Sequence, residues 1–149
     1  MNTLEIELIC RSDPVLRKCF GGVLALDQLP DTIVDFPKCF CINTDNQDKP
    51  GMHWFGIYFD NPNLVLYFDS YGIRPFGRPA KVCFKNAKHV VYNKMWLQSV
   101  FSKVCGVYVI YFLSQAARGV SLSDMLQRFQ SFQWRENDTT IMRWFYGQG

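Results

Sequence analysis

The chain has 149 residues, 48% hydrophobic and 16% aromatic with 13 Phe, and a net charge of +3. That length buries roughly two-thirds of the unfolded surface, so a single domain spanning residues 1–149 is expected to fold without a staple, and the ring-rich composition excludes a disordered or coiled-coil chain. The opening Met-Asn-Thr-Leu-Glu-Ile-Glu is not a charged-then-apolar leader and no apolar run reaches membrane-spanning length, which points to an intracellular chain with six reduced cysteines rather than a membrane protein or a secreted disulfide scaffold.

Asp13-Pro14, followed by Val-Leu-Arg-Lys-Cys-Phe and Gly21-Gly22, supplies a cap, a proline at the first helical position and a glycine stop, and predicts a short helix. Residues 43–51 read as a polar loop of the kind that shapes clefts. The aromatic and β-branched stretch from His53 to Asp60 then reads as a strand, Asn61-Pro62-Asn63 as a turn, and Leu64 to Phe68 as a second strand running into Asp69-Ser70-Tyr71-Gly72. These two strands make a hairpin with His53 and Asp69 at its open end. Gly72 to Pro79, with two prolines and two glycines, reads as another loop.

From residue 70 to 123 the chain carries eight Lys or Arg and no acid, whereas residues 1–69 carry ten acids and five bases. Clustered on one face, such cations would attract a phosphate backbone; dispersed, they are a solvated surface. Cys105 opens a run that is apolar to Leu113 and stops at Gly119, read as a buried helix on the strength of its length, with the β-branched Val107, Val109 and Ile110 leaving a strand as the competing reading. Ser121 to Asp124 resembles a capping box opening a helix through about Phe132, and Asn137-Asp138 is expected to cap a last helix ending near Gly147. Strand-rich middle and helix-rich ends predict an α+β domain, a mixed central sheet flanked by helices.

Four residues fit one chemistry. A cysteine attacks a carbonyl as thiolate and needs a proton acceptor or a positive potential beside it. Cys105 at a helix N-terminus is the candidate nucleophile, His53 the acceptor and Asp69 the group that orients the imidazole. Gln98 and a backbone N–H at Cys105 are the candidate donors to an oxyanion. Taken singly each has a plainer reading: Cys105 a small core residue, Asp69 a turn former, Gln98 a wall residue, Trp54 core. His89 has no aromatic or acidic neighbour in sequence and is given no role. No Cys and His pairs have zinc spacing, so neither a metal nor another cofactor is expected.

The patterns Cys41-Ile42-Asn43-Thr44 with Gly51-Met52-His53-Trp54, then Tyr67-Phe68-Asp69-Ser70-Tyr71-Gly72, and Leu97-Gln98-Ser99 with Cys105-Gly106 resemble the adenovirus protease (adenain) family, distantly related to the ubiquitin-like-protein proteases. The resemblance covers about residues 40–115. It implies His53 as base, Asp69 as orienting acid, Gln98 as oxyanion donor, Cys105 as nucleophile and Trp54 as a flanking residue. It further implies an endopeptidase acting as a monomer on viral or virus-like precursors at glycine-containing sites, in a host nucleus or virion, with stimulation by DNA or an activating peptide. Two departures stand out: the family's acid is glutamate, and no cysteine sits where its activating peptide attaches, Cys83 being several residues away. Ubiquitin-like-modifier isopeptidase and catalytically silent basic module are the rival readings.

Overall fold

The computed structural model describes residues 1–45 and 53–147. Most of the polar loop expected at 43–51 therefore lies outside the described residues. Five strands form one sheet in sequence order: β1 Phe20–Ala25, β2 Lys38–Asn43, β3 Trp54–Asn61, β4 Leu64–Phe68 and β5 His89–Tyr92. The central three are antiparallel, while β1 joins β2 and β5 joins β4 in parallel, so the sheet is mixed as expected.

Helices cover both faces. Alternation along β2 sends Cys39 and Cys41 toward one apolar core and Phe40 and Ile42 toward the other, the two-residue period expected of strands. The first core is closed by α1 Thr3–Ser12, α3 Cys105–Ala117, α4 Leu122–Leu126 and α5 Trp134–Gly147; the second by α2 Gly77–Asn86 together with Leu29 and Ile33.

The helix α3 is buried at every position from Cys105 to Ser114, which explains its lack of a polar face: sheet lies on one side and helices on the other. Gly56 of β3 lets it approach, because a Cβ there would sit 2.8 Å from Phe112 Cδ2. At the far end of α3, Arg118 grips Asp13 through both terminal nitrogens at 2.8 and 2.9 Å, and Ser114 Oγ donates to the same carboxylate at 3.0 Å.

Several expected elements differ. After Asp13, only a single 3-10 turn forms at Leu16–Lys18; the Asp13 carboxylate does cap it, accepting from the N–H groups of Val15 and Leu16, but Gly21-Gly22 is drawn into β1. The expected loop at 72–79 ends in α2, whose first turn tolerates Pro79 because N–H groups there have no helical acceptor. The helix expected from Ser121 to about Phe132 stops at Leu126. Asn137 is no cap: it lies inside α5, where its amide accepts from Gln130 N–H and donates to Leu97 and Gln130 carbonyls. No expectation covered α1, although Asn2 and Glu5 form a reciprocal capping box at its start.

Candidate active site

The hairpin β3/β4 pairs Gly56 with Phe68, so the residue entering β3 and the residue leaving β4 emerge at one rim of the sheet. His53 Nε2 and Asp69 Oδ1 meet there at 3.0 Å, with the two side chains only 11% and 5% exposed. The carboxylate is itself held: Tyr71 N–H donates to Oδ1 at 2.8 Å. Asn93 clamps the Asp69 backbone, accepting from its N–H at 3.0 Å and donating to its carbonyl at 2.6 Å. The phenol ring of Tyr71 stacks on the imidazole with centroids 4.7 Å apart. Because Nε2 faces the carboxylate, Nδ1 is the nitrogen left for a second partner.

That partner is Cys105, the first residue of α3. His53 and the backbone N–H groups of Trp54 and Gly106 act on its thiol, each favouring the thiolate. Val104 provides no side-chain cap, so the first amides of α3 are free to face the sulfur. Gly106 also lets the chain pass beneath Trp54, since a Cβ would meet the indole at 3.3 Å and Ile6 at 3.1 Å. The indole Nε1 of Trp54 is buried without a hydrogen-bond partner among the described residues.

Burial disfavours charge on both members of the thiol–imidazole pair. It is nevertheless outweighed: hydrogen bonds and charge from Asp69 and Cys105 raise His53 to about 9, while His53, Trp54 N–H and Gly106 N–H draw Cys105 below its ordinary value. Three of the other thiols contrast sharply, since burial pushes Cys10 and Cys83 up to about 12 and Cys41 well above the ordinary range; Cys19 alone of the rest is also lowered. A thiolate–imidazolium pair at neutral pH is the chemical state this arrangement favours.

Gln98 is fully buried and stands apart from this trio in its bonding. Its Oε1 accepts from Ser70 Oγ at 2.6 Å, and its Nε2 donates to Ser102 O at 3.3 Å and Ser102 Oγ at 3.2 Å. Ser70 follows Asp69 directly, so the amide is tied to the acid's own loop. Trp96 Nε1 donates to the Gln98 carbonyl at 2.7 Å. Tyr71, Asn93, Ser70 and Ser102 were not singled out from sequence; only Tyr71 and Ser70 lay within a quoted motif, and nothing local marks the other two.

His53, Asp69 and Tyr71 also form part of the wall of a cavity of about 440 Å³, completed chiefly by Phe55, Tyr67, Ile73 and Phe76 on the side of the sheet away from α3. Among the described residues no cluster of His, Cys, Asp or Glu is arranged to hold a metal, and no helix is long and apolar enough to cross a membrane. His89 is exposed at the start of β5.

No protein-family model and no curated protein matches the sequence. Among solved structures, the crystal structure of ASFV pS273R protease is similar over 93% of this chain and 65% of that one, with TM-score 0.60 and 15% identity. The crystal structure of the Se-Met form of the same protease aligns with 69% of this chain and 41% of that one, at TM-score 0.46 and 19% identity. The chain thus spans less than two-thirds of that protein, and what the two share is an α+β fold.

Proposed function

We propose that the chain is a cysteine endopeptidase with Cys105 as nucleophile, His53 as base and then acid, and Asp69 as the group orienting the imidazole. The observation that carries the reading is the 3.0 Å contact of the Asp69 carboxylate with the His53 imidazole, which in turn draws the Cys105 thiol below its ordinary value, on a fold similar to that of a viral protease. The Cys105 thiolate adds to the scissile carbonyl, the tetrahedral intermediate collapses as His53 protonates the leaving amine, and water activated by the now neutral imidazole releases the acyl group.

Gln98 is proposed as oxyanion donor together with backbone N–H at Cys105. Its bonds to Ser102 are long, 3.2 and 3.3 Å, and a charged oxygen is a stronger acceptor than either of those oxygens, so substrate attack would turn the amide toward the new charge. Fold likeness to a viral protease supports viral or virus-like precursor proteins as substrates; cleavage at glycine-containing sites inside a host cell or virion is proposed from the sequence resemblance alone.

The eight cations of residues 70–123 are all exposed. Arg78 and Arg118 are ion-paired with Asp31 and Asp13, while Lys81 and Lys85 share one face of α2 with Lys88 just beyond it. That stretch is the proposed DNA contact and a source of stimulation. The test is digestion of a proteome-derived peptide library by the purified chain with and without DNA, alongside labelling by a thiol-reactive peptide electrophile. Selective cleavage and preferential labelling of Cys105 are expected; cleavage of Gly-Gly-tailed modifiers alone would make the chain an isopeptidase, and labelling of Cys105 no faster than the other thiols would make it a silent module.

A further inference from the structure

We infer that Cys19 and Cys39 form a dithiol that oxidises to an intramolecular disulfide, a redox modification site separate from the Cys105 centre. The two sulfurs lie 3.9 Å apart, and no second pair of the six thiols meets within hydrogen-bonding range. Their backbones are already fastened together, since Cys39 N–H donates to the Cys19 carbonyl at 3.0 Å. Cys19 ends the 3-10 turn that precedes β1, and Cys39 lies in β2, so a bond between them would staple the turn to the sheet. The sulfurs have to close from 3.9 Å to a bond length of about 2.0 Å.

The pair is asymmetric in a way that orders the chemistry. Cys19 is 5% exposed and Cys39 fully enclosed, so an oxidant reaches Cys19 first. The hydrogen bond from Cys39, assisted by the Tyr58 hydroxyl, lowers Cys19 to about 7 in spite of its burial, whereas Cys39 is held well above the ordinary thiol value. With a hydroperoxide as oxidant, the Cys19 thiolate attacks an oxygen: an S–O bond forms, the O–O bond breaks and the released hydroxide takes up a proton as water. The Cys39 sulfur, losing its proton, then attacks the sulfenic sulfur; the S–S bond forms, the S–O bond breaks and the second oxygen leaves as water. Two thiols and one hydrogen peroxide become one disulfide and two waters.

The experiment uses the full chain, reduced, treated with stoichiometric hydrogen peroxide, blocked with an alkylating agent and digested with trypsin without reductant. Cleavage after Lys18 and Lys38 puts the two cysteines in different peptides. The expected product is the covalent pair, two hydrogens lighter than the separate peptides, with fragmentation assigning the bond to Cys39 rather than Cys41 and dithiothreitol reversing it. Tm should rise by several degrees on oxidation, because the bond closes a loop between residues 20 apart. Cys39→Ser should leave Cys19 as a sulfenic acid trappable by a cyclic dione. If both residues remain alkylatable once Cys105 has been fully oxidised, or if Cys19 pairs with Cys10 instead, the inference fails. The wild-type mass measurement needs no variant to fold, and neither result bears on whether the chain cleaves peptides.

Discussion

Asp69→Asn is the substitution that most directly tests how the site is charged. The amide keeps an oxygen for the Tyr71 N–H, so the loop holds, but the negative charge beside His53 disappears. In the wild type the imidazole stands at about 9 against an ordinary 6.5, a gap of roughly 3 kcal/mol at about 1.36 kcal/mol per pH unit, with Asp69 and Cys105 sharing the work against burial. Removing the carboxylate's share should lower His53 by about one to two pH units. The sign is then fixed: His53 loses its proton earlier as pH rises, the thiolate loses its counter-charge, and burial pushes Cys105 back up. Alkylation of Cys105 at pH 7, followed by intact-mass spectrometry, should slow about 10- to 100-fold, and the pH midpoint of the alkylation rate should move upward. kcat/KM on a cleaved peptide should fall in parallel, and its alkaline limb, near 9 in the wild type, should shift down. A variant whose alkylation profile overlays the wild type would refute the idea that Asp69 tunes the pair.

Cys105→Ala should abolish turnover while changing stability by less than about 1 kcal/mol in urea denaturation, and should lower the His53 titration seen by NMR because the thiolate no longer supports the imidazolium. Tyr71→Phe should retain activity, since the stacked ring remains, whereas Tyr71→Ala should lose roughly 2- to 10-fold in kcat, the worth of one aromatic stack. Gly56→Ala should destabilise the fold by about 1 to 3 kcal/mol, read as a drop of several degrees in Tm, because the new methyl collides with Phe112. For the basic segment, log affinity for DNA should fall with log salt, and removing Lys81, Lys85 and Lys88 together should flatten the slope by about 3.

The parts that were legible in the sequence are those set by local pattern. Trp54–Asn61 and Leu64–Phe68 are aromatic and β-branched runs around an Asn-Pro-Asn turn, and Cys105–Ala117 is too long and too apolar for anything but a buried element. The meeting of His53 with Asp69 followed from the hairpin. What escaped depends on distant partners or competing signals. Asn93 clamps Asp69 from 24 residues away, and Gln98 is engaged by Ser70 from 28 residues away, contacts no periodicity announces. The prolines and glycines of 72–79 pointed to a loop, yet Pro79 is harmless in a first helical turn and α2 begins there. Asn137 carries the chemistry of a cap, but its side chain is spent tying α5 to Gln130 and Leu97 instead.

The register of β3 against β4 reaches further than the sheet itself. Turns at the tip of a surface hairpin ordinarily accept insertions and deletions during evolution, and the Asn61–Asn63 turn lies about 25 Å from His53 along the strand. The strand β3 already absorbs one extra residue beside the turn, at Asp60, without disturbing the pairs nearer the rim, whereas a slip of β4 by one step would exchange its two buried faces and swing Asp69 off the imidazole. Alignment at the rim thus depends on side chains packed along the whole length of both strands, and length changes at the distal tip are compatible with the site only where a bulge takes them up.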